Sequence, residues 1–166
     1  MKVCNQRGVG LFEVIIAISI MFILAVTAIS ALQPYPAIRL SAAAETMATD
    51  IEYSHKLAVI ERANHGIRID PSSEQYFVYR QTTSNKVPSP VTGADLGIDY
   101  ITSNEFKGVD VIGTNFGYQI EFNSKGEPRD QYGNLLTSEA VITLAHPAGY
   151  NTTIHIEPGT GKVTVQ

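Results

Sequence analysis

The feature that most constrains the fold is a run of nineteen uncharged residues from Val14 to Leu32. Its only polar side chains are those of Ser19, Thr27 and Ser30, and each can hydrogen-bond to its own helix. At about 1.5 Å of rise per residue, a helix of this length spans roughly 28 Å, close to the ~30 Å hydrocarbon core of a bilayer. The run therefore predicts a transmembrane helix.

One carboxylate, that of Glu13, stands at the very start of this run. A charge at that position costs free energy in lipid, so it marks a candidate functional residue. Lys2 and Arg7 precede the run, and no further Lys or Arg follows until Arg39. The positive-inside rule therefore predicts a cytoplasmic amino terminus and a domain on the other side of the membrane.

The residues around Glu13 resemble the class III signal of type IV pilins and type II secretion pseudopilins. A short basic leader ends at Gly8, Glu13 is the fifth residue after it, and the apolar helix follows without a break. The resemblance implies that prepilin peptidase cuts between Gly8 and Val9 and methylates the Val9 amine. It also implies a role for Glu13 in subunit assembly. Two positions depart from the family pattern, because Val9 replaces a common Phe and Gly10 a common Thr or Ser.

Other interpretations of the amino terminus remain open. A cut after Gly10 would make Glu13 only the third residue of the mature chain, which fits the family less well. Residues 1–28 also have the layout of an ordinary secretory signal with a cleavage site at 26–28, or of a plain signal anchor. An acidic Glu13 between the basic and apolar regions has no role in either alternative.

Composition limits the remaining possibilities. A chain of 166 residues holds one globular domain beside the anchor, and 44% hydrophobic residues suffice for a packed core. Loss of the predicted leader would remove Lys2 and Arg7 and leave ten basic against sixteen acidic residues, a net charge of −6. That balance argues against nucleic acid as the main partner. Cys4, the single cysteine, lies in the leader, so the mature chain would have neither disulfide nor thiol chemistry.

A second helical segment follows the membrane run. Residues 33–36 (Gln-Pro-Tyr-Pro) predict a kink, and Pro36 fits the first turn of the next helix. This helix is predicted to end at residues 64–66, with Gly66 in the left-handed conformation. Its polar face comprises Glu45, Thr49, Glu52 and Lys56. Its apolar stripe, interrupted at Ser54, comprises Leu40, Ala44, Met47, Ile51 and Ala58, flanked by Ala43, Leu57 and Ile60.

After Gly66 the hydrophobic period changes to two, which predicts β-strands. Residues 82–97, rich in Pro and Gly, are predicted to form a long loop. Short strands separated by Gly and Pro turns favour an antiparallel β-sandwich. The strands are predicted at 67–70, 76–79, 109–112, 118–122, 140–145, 153–157 and 163–165.

This order of elements is similar to that of minor pseudopilins of the H type and the related FimT-like minor pilins. The predicted fold is therefore α+β and pilin-like: a long amino-terminal helix, transmembrane and then periplasmic, packed on an antiparallel β-sandwich. The predicted organisation is a cleaved leader at 1–8, a transmembrane helix at 9–35, a periplasmic helical half at 36–65 and a globular domain at 66–166.

Little in the sequence favours an enzyme. The four histidines, predicted to be surface or capping residues, have no metal-ligand spacing. Three acids could bind calcium, an ion that some other pseudopilins bind, but these acids lack the ordered spacing of calcium ligands. Residues 159–162 (Gly-Thr-Gly-Lys) predict a hairpin turn rather than a phosphate loop. We therefore expect no cofactor and no small-molecule substrate. The histidines are His55, His65, His146 and His155, and the acids are Asp95, Asp99 and Asp110.

The family resemblance implies a non-catalytic filament subunit in the inner membrane, whose domain lies in the periplasm. Its expected partners are other pseudopilin or pilin subunits, prepilin peptidase and membrane lipid. The first interpretation is a minor pseudopilin of a type II secretion system, and the second is a minor pilin for adhesion, motility or DNA uptake. The sequence argues against DNA binding, because Lys107, Lys125 and Arg129 are too few to form a basic edge. A signal-anchored periplasmic binding domain is the alternative from a different class.

Overall fold

The structure, a computed structural model, describes residues 10–31 and 36–166. It divides into two compact units, and the boundary along the chain lies between Tyr35 and Pro36. The first contains helix α1, Leu11–Ala31, whose first turn is closed by the Gly10 carbonyl accepting the backbone N–H of Glu13 at 3.0 Å. The predicted kink at residues 33–35 lies outside the described residues. Of the helices in the described ranges, none combines the length and hydropathy required to cross a membrane.

The second unit begins with helix α2, Pro36–Glu61. Pro36 occupies the first turn, as predicted, where its missing N–H removes no helical hydrogen bond. The predicted polar face is confirmed, and Lys56 pairs with Glu52 at 3.3 Å. The buried face consists of Leu40, Ala43, Ala44, Met47, Ala48, Ile51, Ser54 and Ala58.

Two details of the predicted apolar stripe of α2 are wrong. Ser54 does not interrupt the stripe but is fully buried within it. Ile60, predicted to flank the stripe, is 75% exposed. At about 100° per residue, Ile60 lies roughly 200° around the helix from Ala58 and so points away from the sheets. Ser54 is buried because its side chain is small, and Ile60 is exposed because of its angular position on the helix. Hydrophobicity alone does not decide burial at these two positions.

The predicted end of this helix is also wrong. The helix ends at Glu61, and the residue with positive φ is Arg62, at 51°. Gly66 lies instead inside the first strand, without a positive φ. A Cβ there would stand 2.5 Å from both the Ile120 carbonyl oxygen and the Tyr79 hydroxyl. Close packing across strands therefore requires this glycine.

The rest of the chain forms two antiparallel sheets, which confirms the predicted α+β architecture. In the first sheet the order is β3-β2-β1-β6-β7, with β4 also paired to β2, and in the second it is β10-β9-β8-β5. The strands are β1 His65–Asp70, β2 Gln75–Arg80, β3 Thr82–Lys86, β4 Gly97–Asp99, β5 Asp110–Thr114, β6 Gln119–Phe122, β7 Pro128–Arg129, β8 Ala140–His146, β9 Tyr150–Ile156 and β10 Val163–Val165.

Helix α2 packs against strands of both sheets and completes one hydrophobic core. In β6 and in most of β8, buried residues alternate with less buried ones, as the period of two predicts. The Ile67–Val78 and Ile69–Tyr76 pairs of β1 and β2 carry the core across the first sheet. The second sheet contributes Ile142, Leu144, Ile154 and Ile156, all fully buried.

The predicted loop at 82–97 is largely ordered β structure. It contains β3 and, after it, a short hairpin from Val87 to Leu96 that we call the 87–96 hairpin. Leu96 donates its N–H to the Val87 carbonyl at 2.7 Å, and Ser89 does the same to Ala94 at 2.7 Å. Its proline and polar residues conceal the alternation, so the pairing is visible only in the backbone hydrogen bonds.

Candidate functional site

Glu13 lies in the first turn of α1, where the positive end of the helix dipole favours a negative charge. Its side chain is exposed, and no basic residue in the described part of the chain forms an ion pair with it. Gly8 and Val9, the predicted cleavage site and methylated terminus, lie outside the described residues. The structure thus presents Glu13 as a carboxylate that is accessible to a group from another molecule.

The side chains on both sides of Glu13 in α1 form an extensive exposed apolar surface. Phe12 is 76% exposed and Met21 is 73% exposed. Ser19 donates its hydroxyl to the Ile15 carbonyl at 2.8 Å, so this polar group is satisfied within the helix, as predicted. A contiguous apolar surface of this kind marks contact with lipid or with another protein.

A partly buried carboxylate on α2, that of Asp50, was not singled out by the sequence analysis. It accepts a hydrogen bond from the hydroxyl of Tyr76 at 2.8 Å. Burial raises the pKa of Asp50 above its usual value, and this effect outweighs the opposing effect of the Tyr76 hydrogen bond. The Tyr100 ring lies 6.0 Å from that of Tyr76. The Tyr100 hydroxyl is buried and has no hydrogen-bond partner among the residues that the structure describes.

On the opposite face of the first sheet, Tyr79 covers Gly66. Its hydroxyl donates to Glu121 at 3.4 Å, and the Asn64 side-chain amide donates to the same carboxylate at 2.8 Å. Burial, and then the charge of Glu121, raise the pKa of Tyr79. Three residues of the strand predicted at 76–79, Tyr76, Val78 and Tyr79, are buried.

Glu61 links the carboxyl end of α2 to two strands of the first sheet. Its Oε2 lies 3.3 Å from Nε2 of His65 in β1 and 3.2 Å from Nε of Arg80 in β2. His65 is only 1% exposed, so of the two predicted roles, surface or capping residue, the surface role is wrong. We call Glu61, His65 and Arg80 the helix-end latch, since they join the last residue of the helix to two strands.

The other three histidines also have local partners. The His55 ring lies 5.1 Å from that of Phe122, and His155 Nδ1 lies 3.0 Å from a carboxylate oxygen of Glu139. His146 Nδ1 accepts the backbone N–H of residue 148 at 3.1 Å. These contacts are structural, and all three side chains are partly rather than fully exposed.

The three acids considered for calcium are used separately. Asp95 pairs with Lys86 at 2.9 Å, Asp99 accepts two backbone N–H groups, and Asp110 opens strand β5. In the part of the chain that the structure describes, no group of three or more His, Cys, Asp or Glu side chains could hold a metal ion.

Comparison with known proteins gives a fold but no family match by sequence. No family model and no curated protein matches the chain. Among solved structures, the minor pseudopilin EpsH from the type 2 secretion system of Vibrio cholerae aligns with a TM-score of 0.57 at 10% identity, covering 77% of this chain and 96% of EpsH. The type IV minor pilin FimU of Pseudomonas aeruginosa aligns with a TM-score of 0.53 at 14% identity, covering 76% of this chain and 87% of FimU.

This is the pilin-like fold. The fold predicted from the resemblance at residues 7–13 and from the order of elements is therefore confirmed. The two observations are independent of each other, because the motif at residues 7–13 is local and the fold similarity covers about three quarters of the chain. At identities this low, the similar structures support the pilin-like fold and carry no residue-level assignment.

Proposed function

We propose that this protein is a membrane-anchored filament subunit of the pilin or pseudopilin type and not a catalyst. The pilin-like fold carries the proposal. The sequence before the domain supports it, because the spacing of Gly8, Glu13 and the apolar run matches the processing signal of that family. The exposed apolar surface of α1 supports it, because such a surface needs lipid before assembly and protein after it.

More specifically, we propose a minor pseudopilin that helps assemble or initiate a type II secretion pseudopilus. The similarity to EpsH favours this pseudopilin role. A minor pilin of a type IV pilus is the second candidate, which the similarity to FimU favours. Export of cargo proteins, measured in a strain that lacks this chain, separates the two. If export is lost while twitching and DNA uptake are intact, the secretion system is supported. If export is intact while twitching or DNA uptake is lost, the pilus is supported.

Processing and location complete the proposal. Prepilin peptidase cuts between Gly8 and Val9 and methylates Val9, and α1 holds the subunit in the inner membrane with the domain in the periplasm. Before the cut, the nitrogen of Val9 is an uncharged amide. The cut creates an ammonium there, so only processed chains carry a positive charge at the Val9 nitrogen.

Glu13 is the proposed partner of that cation. In a filament with subunits staggered along its axis, Glu13 of one subunit meets the Val9 ammonium of the next. A low dielectric strengthens this attraction, while either charge alone is costly. A heterologous contact of this kind propagates into a helical filament, so the pair would set the stagger. The exposed and unpaired state of Glu13 in the described residues supports this role.

Glu13→Leu tests the pair. The variant should still insert and still be cut, because the substitution makes the helix more apolar, but it should fail to join the filament efficiently. Intact mass of the membrane-extracted protein reports processing, and cross-linking between neighbouring subunits reports assembly. Val14→Leu is the matched control, since it alters the adjacent residue without removing charge. Wild-type cross-linking and export in Glu13→Leu would refute the role of Glu13, and a mature terminus near Ile29 would refute peptidase processing at Gly8.

A further inference from the structure

A groove on the domain lies between α2 and the 87–96 hairpin. Its walls are Tyr53 of α2 and Pro90, Val91 and Leu96 of the hairpin, and Asp50 lies along its helical side. We call it the Asp50 groove. Most of its surface is apolar, and Asp50 is the single charged side chain that lines it.

Asp50 has few partners among the described residues. Within them, its carboxylate accepts one hydrogen bond, at Oδ2, from the neutral hydroxyl of Tyr76. None of the ion pairs in the described residues includes it. Lys86, which precedes the hairpin, is already paired with Asp95. A partly buried carboxylate without a cation is unfavourable, so a cation brought from outside would be stabilised there.

The hairpin side of the groove is apolar and exposed. Val91, at its tip, is 90% exposed, the largest exposed fraction of any large hydrophobic residue that the structure describes. An apolar wall beside one carboxylate matches a side chain with an aliphatic stem and a cationic end. A bare metal ion does not fit, because no other acidic ligand lines the groove.

We propose that the Asp50 groove receives a Lys or Arg side chain of a neighbouring filament subunit, with the cation on Asp50 and the stem against the hairpin tip. This inference rests on the proposed function. It adds a second, periplasmic contact on the domain to the proposed pairing of Glu13 in the membrane. The contact selects a neighbour by charge, since a subunit with an acidic or polar residue at the matching position would leave Asp50 unpaired.

The test is photo-cross-linking of the full chain in cells, with a photoreactive residue in place of Val91. We expect a covalent link to a neighbouring subunit, and mass spectrometry should place the linked peptide beside a Lys or Arg. Asp50→Asn should reduce the yield about tenfold, the order expected for loss of a charge-assisted hydrogen bond. Its amide oxygen can still accept from Tyr76, so the fold is retained.

Glu45→Gln is the matched control, because it removes an equal charge from an exposed site on the same helix without touching the groove. It should leave the yield unchanged. The inference is overturned if Asp50→Asn cross-links as well as wild type, if Glu45→Gln lowers the yield equally, if the linked peptide has no basic residue, or if Val91 captures only lipid.

A second photoreactive position, Ile16 on α1, separates this inference from the proposed function. Ile16 is 45% exposed and far along the chain from the groove. If a photoreactive residue at Ile16 links subunits and one at Val91 does not, the groove inference is refuted and the proposed function as a filament subunit is retained. If neither position links subunits, the proposed function fails and the inference falls with it.

Discussion

Single residues in this domain carry strong local constraints, and Gly66 carries the most severe. It sits in the central strand β1, between Tyr79 on β2 and Glu121 on β6, and the Tyr79 ring lies over it. The ring can reach Glu121 only because no side chain stands between them. One hydrogen atom in place of a methyl group thus permits a contact across three strands.

Gly66→Ala should therefore destabilise the domain by about 1–3 kcal/mol, the usual range for overpacking a tight site. Gly113→Ala is the control, because Gly113 also lies in a strand but has no atom near its Cβ position. Thermal or chemical unfolding of both variants measures the difference. Equal stabilities would show that Tyr79 and the Ile120 carbonyl can move aside at little cost.

Asp50 and Asp99 predict opposite responses to pH. Burial raises the pKa of Asp50 in the folded state, so its ionised form opposes folding, and this destabilisation is relieved as pH falls through the raised pKa. Asp50→Asn should thus stabilise the chain near neutral pH, with a gain that disappears in acid.

Hydrogen bonds from the Thr102 side chain, and then from its backbone, lower the pKa of Asp99. Its contribution to stability is present above its usual pKa and is lost as pH falls through the lowered one. Asp99→Asn should therefore be less stable than wild type at neutral pH. Unfolding curves between pH 3 and 7 compare the two variants, and the same sign of change in both would contradict this account.

Among the elements, α2 organises the domain, because it packs on both sheets and supplies the helix-end latch. Its buried face is built from small residues such as Ala43, Ala44 and Ala48, so the helix lies close to the strands. At its last residue, Glu61 pairs with β1 and β2. The latch fixes the direction in which the chain leaves the helix and enters the first sheet.

Glu61→Gln should cost about 0.5–1 kcal/mol, a modest value because Glu61 and Arg80 are both partly exposed to solvent. The loss should be concentrated at the carboxyl end of α2, where backbone amide exchange should quicken. Glu52→Gln, which breaks the more exposed pair with Lys56, is the control and should change little. Uniform exchange changes along α2 would contradict a local latch.

At the scale of the whole molecule, the chain divides at Tyr35–Pro36 into an apolar helix and a domain with its own core. Among the residues that the structure describes, every member of that core lies at or after Leu40. A core confined to one unit can form without the other.

A fragment that begins at Ala37 should therefore be soluble and folded. Circular dichroism should show β structure and one helix, and unfolding should be cooperative. Aggregation whenever the first helix is missing would mean that this helix contributes to the core. Fragments that begin at Ala37 and at Ala44 form a matched pair, because the shorter one removes Leu40 and Ala43 from the core and should be clearly less stable.

Much of this architecture could be predicted because its causes are local. Pro36 at a helix start and the alternation of Ile67 and Ile69 each depend on residues a few positions apart. The 87–96 hairpin escaped prediction because its backbone hydrogen bonds do not depend on an apolar alternation. His65 was misplaced because its burial results from Glu61, Arg80 and Phe122, which come from three different elements.

The sequence by itself determined the apolar helix, the register of Gly8 with Glu13, the second helix and most strands, since period, charge and turn residues act within one or two turns of chain. Only the tertiary structure decided that Gly66 must lack a side chain and that Glu61 joins α2 to two strands. It alone placed Asp50 beside Tyr76 and opposite Val91. These residues are 26 and 41 positions from Asp50 along the chain, and no local pattern encodes which distant residues the packing of a helix on two sheets brings together.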